Sequence, residues 1–150
     1  LFAACMKAGA LSVGAGDEKA EYARLFGEYI GLCFQIKDDI FDYYESKEIG
    51  KPTGNDMLEG KLTLPALYVL NQTGDDSLKQ TALKIRSLEA SKEEIASFVE
   101  TVKERGGIEY ATRMMYEFRD KALALVPASA DSSLKEALTA YIDYVIERNK

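Results

Sequence analysis

The sequence predicts an all-α protein, built as a bundle of helices. Apolar side chains recur at intervals of three and four residues along most of the chain. Only three prolines occur, and no alternating Val, Ile and Thr pattern bounded by turns stands out. A chain of 150 residues is long enough to bury roughly 70% of its unfolded surface, which is enough for a substantial core.

The predicted helices follow from this periodicity and from their end signals. The apolar stretch that opens the chain stops at the glycine-rich residues 14–16, and Asp17 can cap the next helix. That second helix would be about 40 Å long at about 1.5 Å per residue. A loop with little regular structure is predicted over 46–60, and the capping box of Ser91 and Glu94 opens a later helix. The predicted helices are 1–13, 17–45, 61–71, 77–88, 92–105, 108–126 and 133–148.

The start of the chain is typical of a sequence that continues upstream. Leu1 lies inside an apolar stretch, without the basic start and small-residue cleavage site of a signal peptide. We therefore expect the chain to begin within a helix of a longer protein, whose N-terminal helices are missing. No apolar run reaches about 20 residues, so no membrane span is expected. The predicted location is cytoplasmic.

The composition excludes several classes of function. A formal charge of −6 argues against nucleic acid as a partner, because phosphate backbones require a basic surface. The complete absence of histidine excludes Ser-His-Asp and Cys-His catalysis. Any chemistry must use carboxylates, lysines, hydroxyls or a metal held by oxygen. Cys5 and Cys33 match no metal-ligand spacing and are predicted to be buried, reduced thiols.

An acidic triplet is the first candidate for a chemical role. On a helix Asp38 and Asp42 are neighbours one turn apart, with Asp39 beside them. Like charges at this spacing destabilise a helix, and Mg²⁺ would compensate because it prefers carboxylate oxygens and completes its shell with water and phosphates. Taken alone, the triplet is more typical of an exposed polar helix face.

The loop after the acidic triplet favours a metal site over an exposed polar helix face. Lys51 and Lys61 lie in a segment with glycines at 50, 54 and 60. A backbone freed by glycine can approach phosphate oxygens, and lysines can neutralise the charge that metals leave over. A solvated turn would explain the loop alone, but its position directly after the acidic triplet favours a site for a metal-bridged phosphate.

These two segments together carry a family resemblance. Residues 34–65 read F-Q-x-x-D-D-x-x-D, then G-K-P-x-G-x-D-x-x-x-G-K-x-T-x-P. This pattern resembles the second aspartate-rich region of the trans-isoprenyl diphosphate synthases. The resemblance implies a helical bundle of the isoprenoid synthase type, in which residues 1–150 form the C-terminal part of a single polyprenyl synthase domain.

The resemblance also implies roles for individual residues. Catalytic roles fall to Asp38, Asp39, Lys51 and Lys61. Asp38 and Asp39, with Asp42 in support, would bind Mg²⁺ that bridges to the diphosphate of an allylic substrate. Lys51 and Lys61 would hold the same diphosphate.

Two further residues would contact substrate on the strength of the same resemblance. Gln35 would line the cavity near the reacting carbons, and Phe34 would form the wall close to isopentenyl diphosphate. The basic tail at 148–150 is expected to be a solvated end, and the alternative is that it closes over a diphosphate.

The implied function is prenyl transfer that condenses isopentenyl diphosphate with an allylic diphosphate to give a linear all-trans polyprenyl diphosphate. The predicted assembly is a homodimer. The chain alone is expected to be inactive, because the family's first aspartate-rich motif lies upstream of Leu1. Three alternatives stay open: a class I terpene cyclase, a non-catalytic partner subunit, and a plain helical scaffold.

Overall fold

The computed structural model describes residues 1–44 and 53–148. All regular structure within these two ranges is helical, which confirms the predicted all-α class. None of the helices described there is long and apolar enough to span a membrane. The helices are α1 (Phe2–Ser12), α2 (Asp17–Phe41), α3 (Asn55–Leu58), α4 (Leu64–Gln72), α5 (Asp76–Arg86), α6 (Lys92–Glu104), α7 (Gly107–Ala124) and α8 (Ser132–Glu147).

The helices form two compact units, and α2 and α7 each contribute residues to both. Of the described residues, the first unit contains Leu1–Lys37 and 114–148. The second unit contains Asp38–Arg113. The acidic end of α2 therefore belongs to the second unit, together with the segment that follows it.

The first unit depends on a close approach of α1 to α2. A Cβ atom at Gly27 would lie 2.6 Å from the carbonyl oxygen of Phe2 and 2.8 Å from Cγ of Met6. Only glycine leaves room for this backbone contact. The buried side chains of this unit include Ala20, Phe26, Ile30, Cys33, Ala122 and Ile142.

In the second unit, α5 and α6 each begin at a residue whose side chain caps the helix. The side chain of Ser91 accepts the N–H of Glu94, and the Glu94 carboxylate accepts the N–H of Ser91, which confirms the predicted capping box. Pro65 lies in the first turn of α4, as predicted. The buried side chains of this unit include Ile85, Phe98, Val99 and Val102.

The main differences from the prediction lie at the end of α2 and in the segment that follows it. Helix α2 ends at Phe41, before the predicted end at residue 45, which lies outside the described residues. The amides of Tyr43 and Tyr44 donate to carbonyls three residues earlier, at 3.1 Å each, and this tightened turn ends the helix. The predicted irregular loop contains the short helix α3, which the end of α2 holds in place.

The two cysteines differ from each other. Cys33 is buried, as predicted, and its Sγ lies 3.3 Å from the carbonyl oxygen of Met115. Cys5 is exposed, so the prediction that it is buried was wrong. The prediction rested on the apolar character of its neighbours in sequence.

Candidate functional site

The three acids at the end of α2 have different surroundings. Asp38 is exposed, whereas only 8% of Asp39 is accessible to solvent. Asp42 is half-buried and follows the last helical residue. Its amide donates to the carbonyl oxygen of Asp38 at 3.3 Å, so the hydrogen-bond ladder reaches Asp42 although the helix stops. The predicted spacing of one turn holds for the backbone of Asp38 and Asp42.

The side chain of Asp42 binds the backbone of the segment that carries α3. One carboxylate oxygen accepts the N–H of Asn55 at 3.0 Å, and the other accepts the N–H of Asp56 at 3.0 Å. The carbonyl oxygen of Asp42 accepts the N–H of Gly54 at 2.8 Å. Three consecutive amides therefore bind to one residue. We call this arrangement of Asp42 with residues 54–56 the Asp42 clamp.

Lys61 is joined to the same segment. Its amide donates to the carbonyl oxygen of Asp56 at 2.8 Å. Its Nζ lies 2.6 Å from a carboxylate oxygen of Glu59 and 3.8 Å from one of Asp56. Glu59, followed by Asp56 and Asp42, raises the pKa of the Lys61 ammonium above its ordinary value. The structure therefore places this lysine within electrostatic reach of the acidic end of α2.

A buried tyrosine packs directly behind the clamp. Tyr43 is 1% exposed, and burial, with Thr63 opposing, raises the pKa of its hydroxyl well above the ordinary value, so that it stays a neutral phenol. Thr63 and the backbone of Ala66 lie near the hydroxyl, but no group in the described ranges meets it in hydrogen-bond geometry. The turn after α2 is thus fixed by packing as well as by hydrogen bonds.

The donor set suits Mg²⁺ in chemistry but does not enclose it. Among the described residues, no three Cys, Asp or Glu side chains are grouped so that they could hold a metal ion. Mg²⁺ is commonly held by one or two carboxylates plus substrate phosphates and water, and the exposed Asp38 fits that role. Lys51, the other predicted lysine, lies outside the described residues. The metal and catalytic assignments of these residues stay predictions.

Phe34 and Gln35 line one cavity in the first unit. Its volume is about 410 Å³, and Phe2 and Gly31 contribute to the same wall. The rings of Phe2 and Phe34 are tilted by 43° with centroids 5.5 Å apart. The structure therefore brings the two predicted substrate-contacting residues together, although it does not test what the cavity binds.

Arg148 packs against this wall. Its guanidinium carbon lies 3.7 Å above the centroid of the Phe34 ring, and Nη2 donates to the carbonyl oxygen of Phe34 at 3.1 Å. The prediction of a solvated tail does not hold for Arg148, because cation–π stacking keeps its side chain on α2. Burial, and then the charge of Arg148, lowers the pKa of the nearby Lys37 ammonium. Residues 149 and 150 lie outside the described residues.

Sequence reasoning missed several of these contacts. It assigned no role to Asn55, Asp56, Glu59 or Tyr43, although all four contact or surround predicted site residues. The signal for Asp56 was present, because its position is part of the recognised pattern. No local signal links Asp42 to amides that follow it by 13 and 14 residues.

The all-helical architecture matches the isoprenoid synthase fold of the solved structures that the chain resembles. The family model described as Polyprenyl synthetase matches residues 1–102. The chain belongs to this family.

Individual relatives agree with this assignment. The chain is 35% identical to heptaprenyl diphosphate synthase component 2 of Geobacillus stearothermophilus, over 95% of this chain and 44% of that protein. It superposes on geranylgeranyl pyrophosphate synthase from Bacteroides thetaiotaomicron with a TM-score of 0.92 at 56% identity, over 98% of this chain and 48% of that one.

A third similar protein was crystallised with ligands. The polyprenyl synthase from Caulobacter crescentus CB15, complexed with calcium and isoprenyl diphosphate, gives a TM-score of 0.82 at 31% identity, over 99% of this chain and 46% of that one. The chain thus spans slightly less than half the length of the relatives that it matches.

Proposed function

We propose that the protein to which this chain belongs is a Mg²⁺-dependent trans-prenyltransferase. It would condense isopentenyl diphosphate with an allylic diphosphate to give a linear all-trans polyprenyl diphosphate. One observation carries the proposal: the Asp42 clamp ties the segment with Lys61 to the acidic end of α2. An ammonium beside carboxylates can share a diphosphate with a cation that those carboxylates hold.

The chain's own residues would act on the leaving group. The C–O bond of the allylic diphosphate breaks, and diphosphate leaves with the bonding electrons. The double bond of isopentenyl diphosphate forms the new C–C bond, and a proton is then lost. The Lys61 ammonium, whose pKa is raised by its acidic neighbours, would pair with the departing diphosphate, and Lys51 would do the same. Such fixed charges lower the barrier because negative charge develops on that group.

The metal would be held by Asp38 and Asp39, the first two of the three predicted ligands. When bound, Mg²⁺ neutralises negative charge on the diphosphate. Gln35 would line the cavity near the reacting carbons, and Phe34 would form the wall close to isopentenyl diphosphate; both residues line one cavity. The family's first aspartate-rich motif would be supplied by the part of the protein that precedes this chain, so the chain alone would be inactive.

The proposed protein is a cytoplasmic homodimer, and the chain forms the C-terminal part of its single synthase domain. One observation favours a second candidate. The relative from Geobacillus stearothermophilus is named as one component of its synthase, which supports a parent that works with a different partner subunit. A class I terpene cyclase stays a weaker alternative, because the family match is to polyprenyl synthetases.

A prenyl-transfer assay tests the proposal. The protein extended upstream to the length of its relatives would be incubated with Mg²⁺, isopentenyl diphosphate and an allylic diphosphate. We expect metal-dependent elongation that falls by at least about a hundredfold in Asp38→Ala, as is common when an electrostatic stabiliser is removed. Asp76→Ala is the matched control, because Asp76 is an exposed aspartate outside the acidic triplet.

The outcomes separate the candidates. Elongation by the protein alone supports the homodimeric synthase, and elongation only after a second protein is added supports the partner-subunit candidate. Cyclic hydrocarbon products from an allylic diphosphate alone would indicate a cyclase. A folded protein that makes no product under any of these conditions would refute prenyl transfer.

A further inference from the structure

We infer that Asp42 is a positioning residue, which holds the Lys61 segment through backbone amides, rather than a metal ligand. This inference deepens the proposed function and rests on it for the identity of the diphosphate. It gives different roles to Asp38 and Asp42, the first and last acids of the triplet. Asp38 presents an exposed carboxylate, whereas both carboxylate oxygens of Asp42 accept amides of the following segment.

The geometry of the clamp explains why an aspartate stands at this position. Two adjacent amides, those of Asn55 and Asp56, each find a separate oxygen at 3.0 Å. Only a side chain with two acceptor oxygens on one short stem can accept both while its own carbonyl binds Gly54. Hydrogen bonds to a charged acceptor are stronger than neutral ones. The carboxylate is therefore suited to holding this backbone.

The clamp acts on Lys61 through a short chain of contacts. Asp42 binds the amide of Asp56, and the carbonyl oxygen of Asp56 accepts the amide of Lys61 at 2.8 Å. The Asp56 carboxylate also lies 3.8 Å from the Lys61 ammonium. The Lys61 side chain itself is exposed. Fixing its backbone reduces the entropy that it loses on binding an anion.

The two roles of Asp42 predict different behaviour of the isosteric variant Asp42→Asn. The amide keeps one acceptor oxygen, but it places an NH₂ group against a backbone N–H, so one of the two bonds is lost. A positioning role predicts faster hydrogen exchange at the amides of residues 54–57 and weaker diphosphate binding. A ligand role predicts a higher Mg²⁺ requirement, as in Asp38→Asn.

The experiment uses the protein extended upstream and needs no turnover. Hydrogen exchange followed by mass spectrometry reports on the peptide that contains Asn55 and Asp56. Calorimetry with inorganic diphosphate at saturating Mg²⁺ reports on anion binding, and Mn²⁺ binding followed by electron paramagnetic resonance reports on the metal. We expect Asp42→Asn to weaken diphosphate binding by about tenfold, the lower end of what losing a charge-assisted hydrogen bond causes.

A double-mutant cycle with Lys61→Ala separates positioning from a general loss of structure. If Asp42 acts through Lys61, Asp42→Asn causes no further loss of diphosphate affinity in the Lys61→Ala background. Additive losses would overturn the positioning role. The inference is also overturned if Asp42→Asn weakens Mn²⁺ binding as Asp38→Asn does, or if exchange at residues 54–57 is unchanged.

The two proposals fail in different ways. If the wild-type protein transfers no prenyl group but Asp42→Asn accelerates exchange and weakens diphosphate binding through Lys61, the proposed function is wrong and the clamp stands. If transfer occurs but exchange is unchanged, the clamp is wrong and the proposed function stands.

Discussion

Gly54 is the position at which a single added methyl group tests the packing of the clamp. Its φ is 77°, in the left-handed region, and it precedes the first residue of α3. A Cβ atom built there would lie 2.8 Å from Cγ2 of Ile95 and 3.4 Å from Cγ2 of Val99, both on α6. Gly54→Ala therefore combines backbone strain with overpacking against a buried helix face.

The two costs can be estimated separately. An L-residue in the left-handed conformation costs about 1–2 kcal/mol, and forcing an extra methyl group into a packed site costs about 1–3 kcal/mol. We expect Gly54→Ala to lower the free energy of unfolding by about 2–5 kcal/mol. We expect much of this loss to come from weakening of the Asp42 clamp, because the amide of Gly54 donates to the carbonyl oxygen of Asp42.

Gly106 offers a matched control within the same unit. Its φ is 78°, almost the same as that of Gly54, but the nearest atom to its added Cβ is a carboxylate oxygen of Glu109 at 3.9 Å. Gly106→Ala therefore carries the strain without the steric contact. Any effect of alanine on the unfolded chain is common to both variants.

Urea unfolding followed by circular dichroism measures both variants in the protein extended upstream. The difference between the two losses isolates the contact with α6, and we expect it to be about 1–3 kcal/mol. Equal losses of unfolding free energy for Gly54→Ala and Gly106→Ala would refute the argument that α6 packs against the clamp. A Gly54→Ala protein as stable as wild type would refute the backbone conformation as well.

Three further predictions concern other parts of the chain. Ser91→Ala removes the side-chain half of the capping box and should cost about 1 kcal/mol in urea unfolding, whereas the exposed Ser97→Ala should cost less; equal losses would contradict the cap. Burial raises the pKa of the Cys33 thiol to about 11, so that about 0.1% is thiolate at pH 8 and iodoacetamide should leave it unmodified until the pH rises or the protein unfolds; modification at the rate of free cysteine would contradict this. Arg148→Gln should lower the free energy of unfolding by about 1 kcal/mol through loss of stacking on Phe34, and Arg148→Lys should lower it less. If neither variant changes amide hydrogen exchange in the C-terminal peptide, the contact between Arg148 and Phe34 is contradicted.

The sequence predicted those parts of the fold that depend on near neighbours. Seven of the helices follow from apolar spacing, and the capping box at Ser91 and Glu94 could be identified because its two residues are three positions apart. The end of α2 was predicted four residues too late. Apolar spacing continues past Phe41, whereas the carbonyl oxygen of Asp42 accepts the amide of Gly54, a residue of a later segment.

The same distinction between near and distant neighbours in sequence applies to the candidate site. Residue type and spacing predicted chemical roles for Asp38 and Lys61, and the structure places Lys61 within electrostatic reach of Asp56 and Asp42. The stacking of Arg148 on Phe34 joins residues 114 positions apart. Such a contact depends on the tertiary fold, so neither periodicity nor spacing could predict it.

The position of the helix end decides what each acid of the triplet can do. Within a helix, carboxylates one turn apart point from the same face, and Asp38 keeps that position inside α2. Asp42 follows Phe41, the last helical residue, so its side chain is no longer bound to that face and reaches the amides of Asn55 and Asp56. The same carboxylate would have been a plausible metal ligand one turn further inside the helix. An aspartate-rich motif therefore specifies the charges available at a site, and the backbone around each aspartate determines whether its charge serves a cation or the protein's own amides.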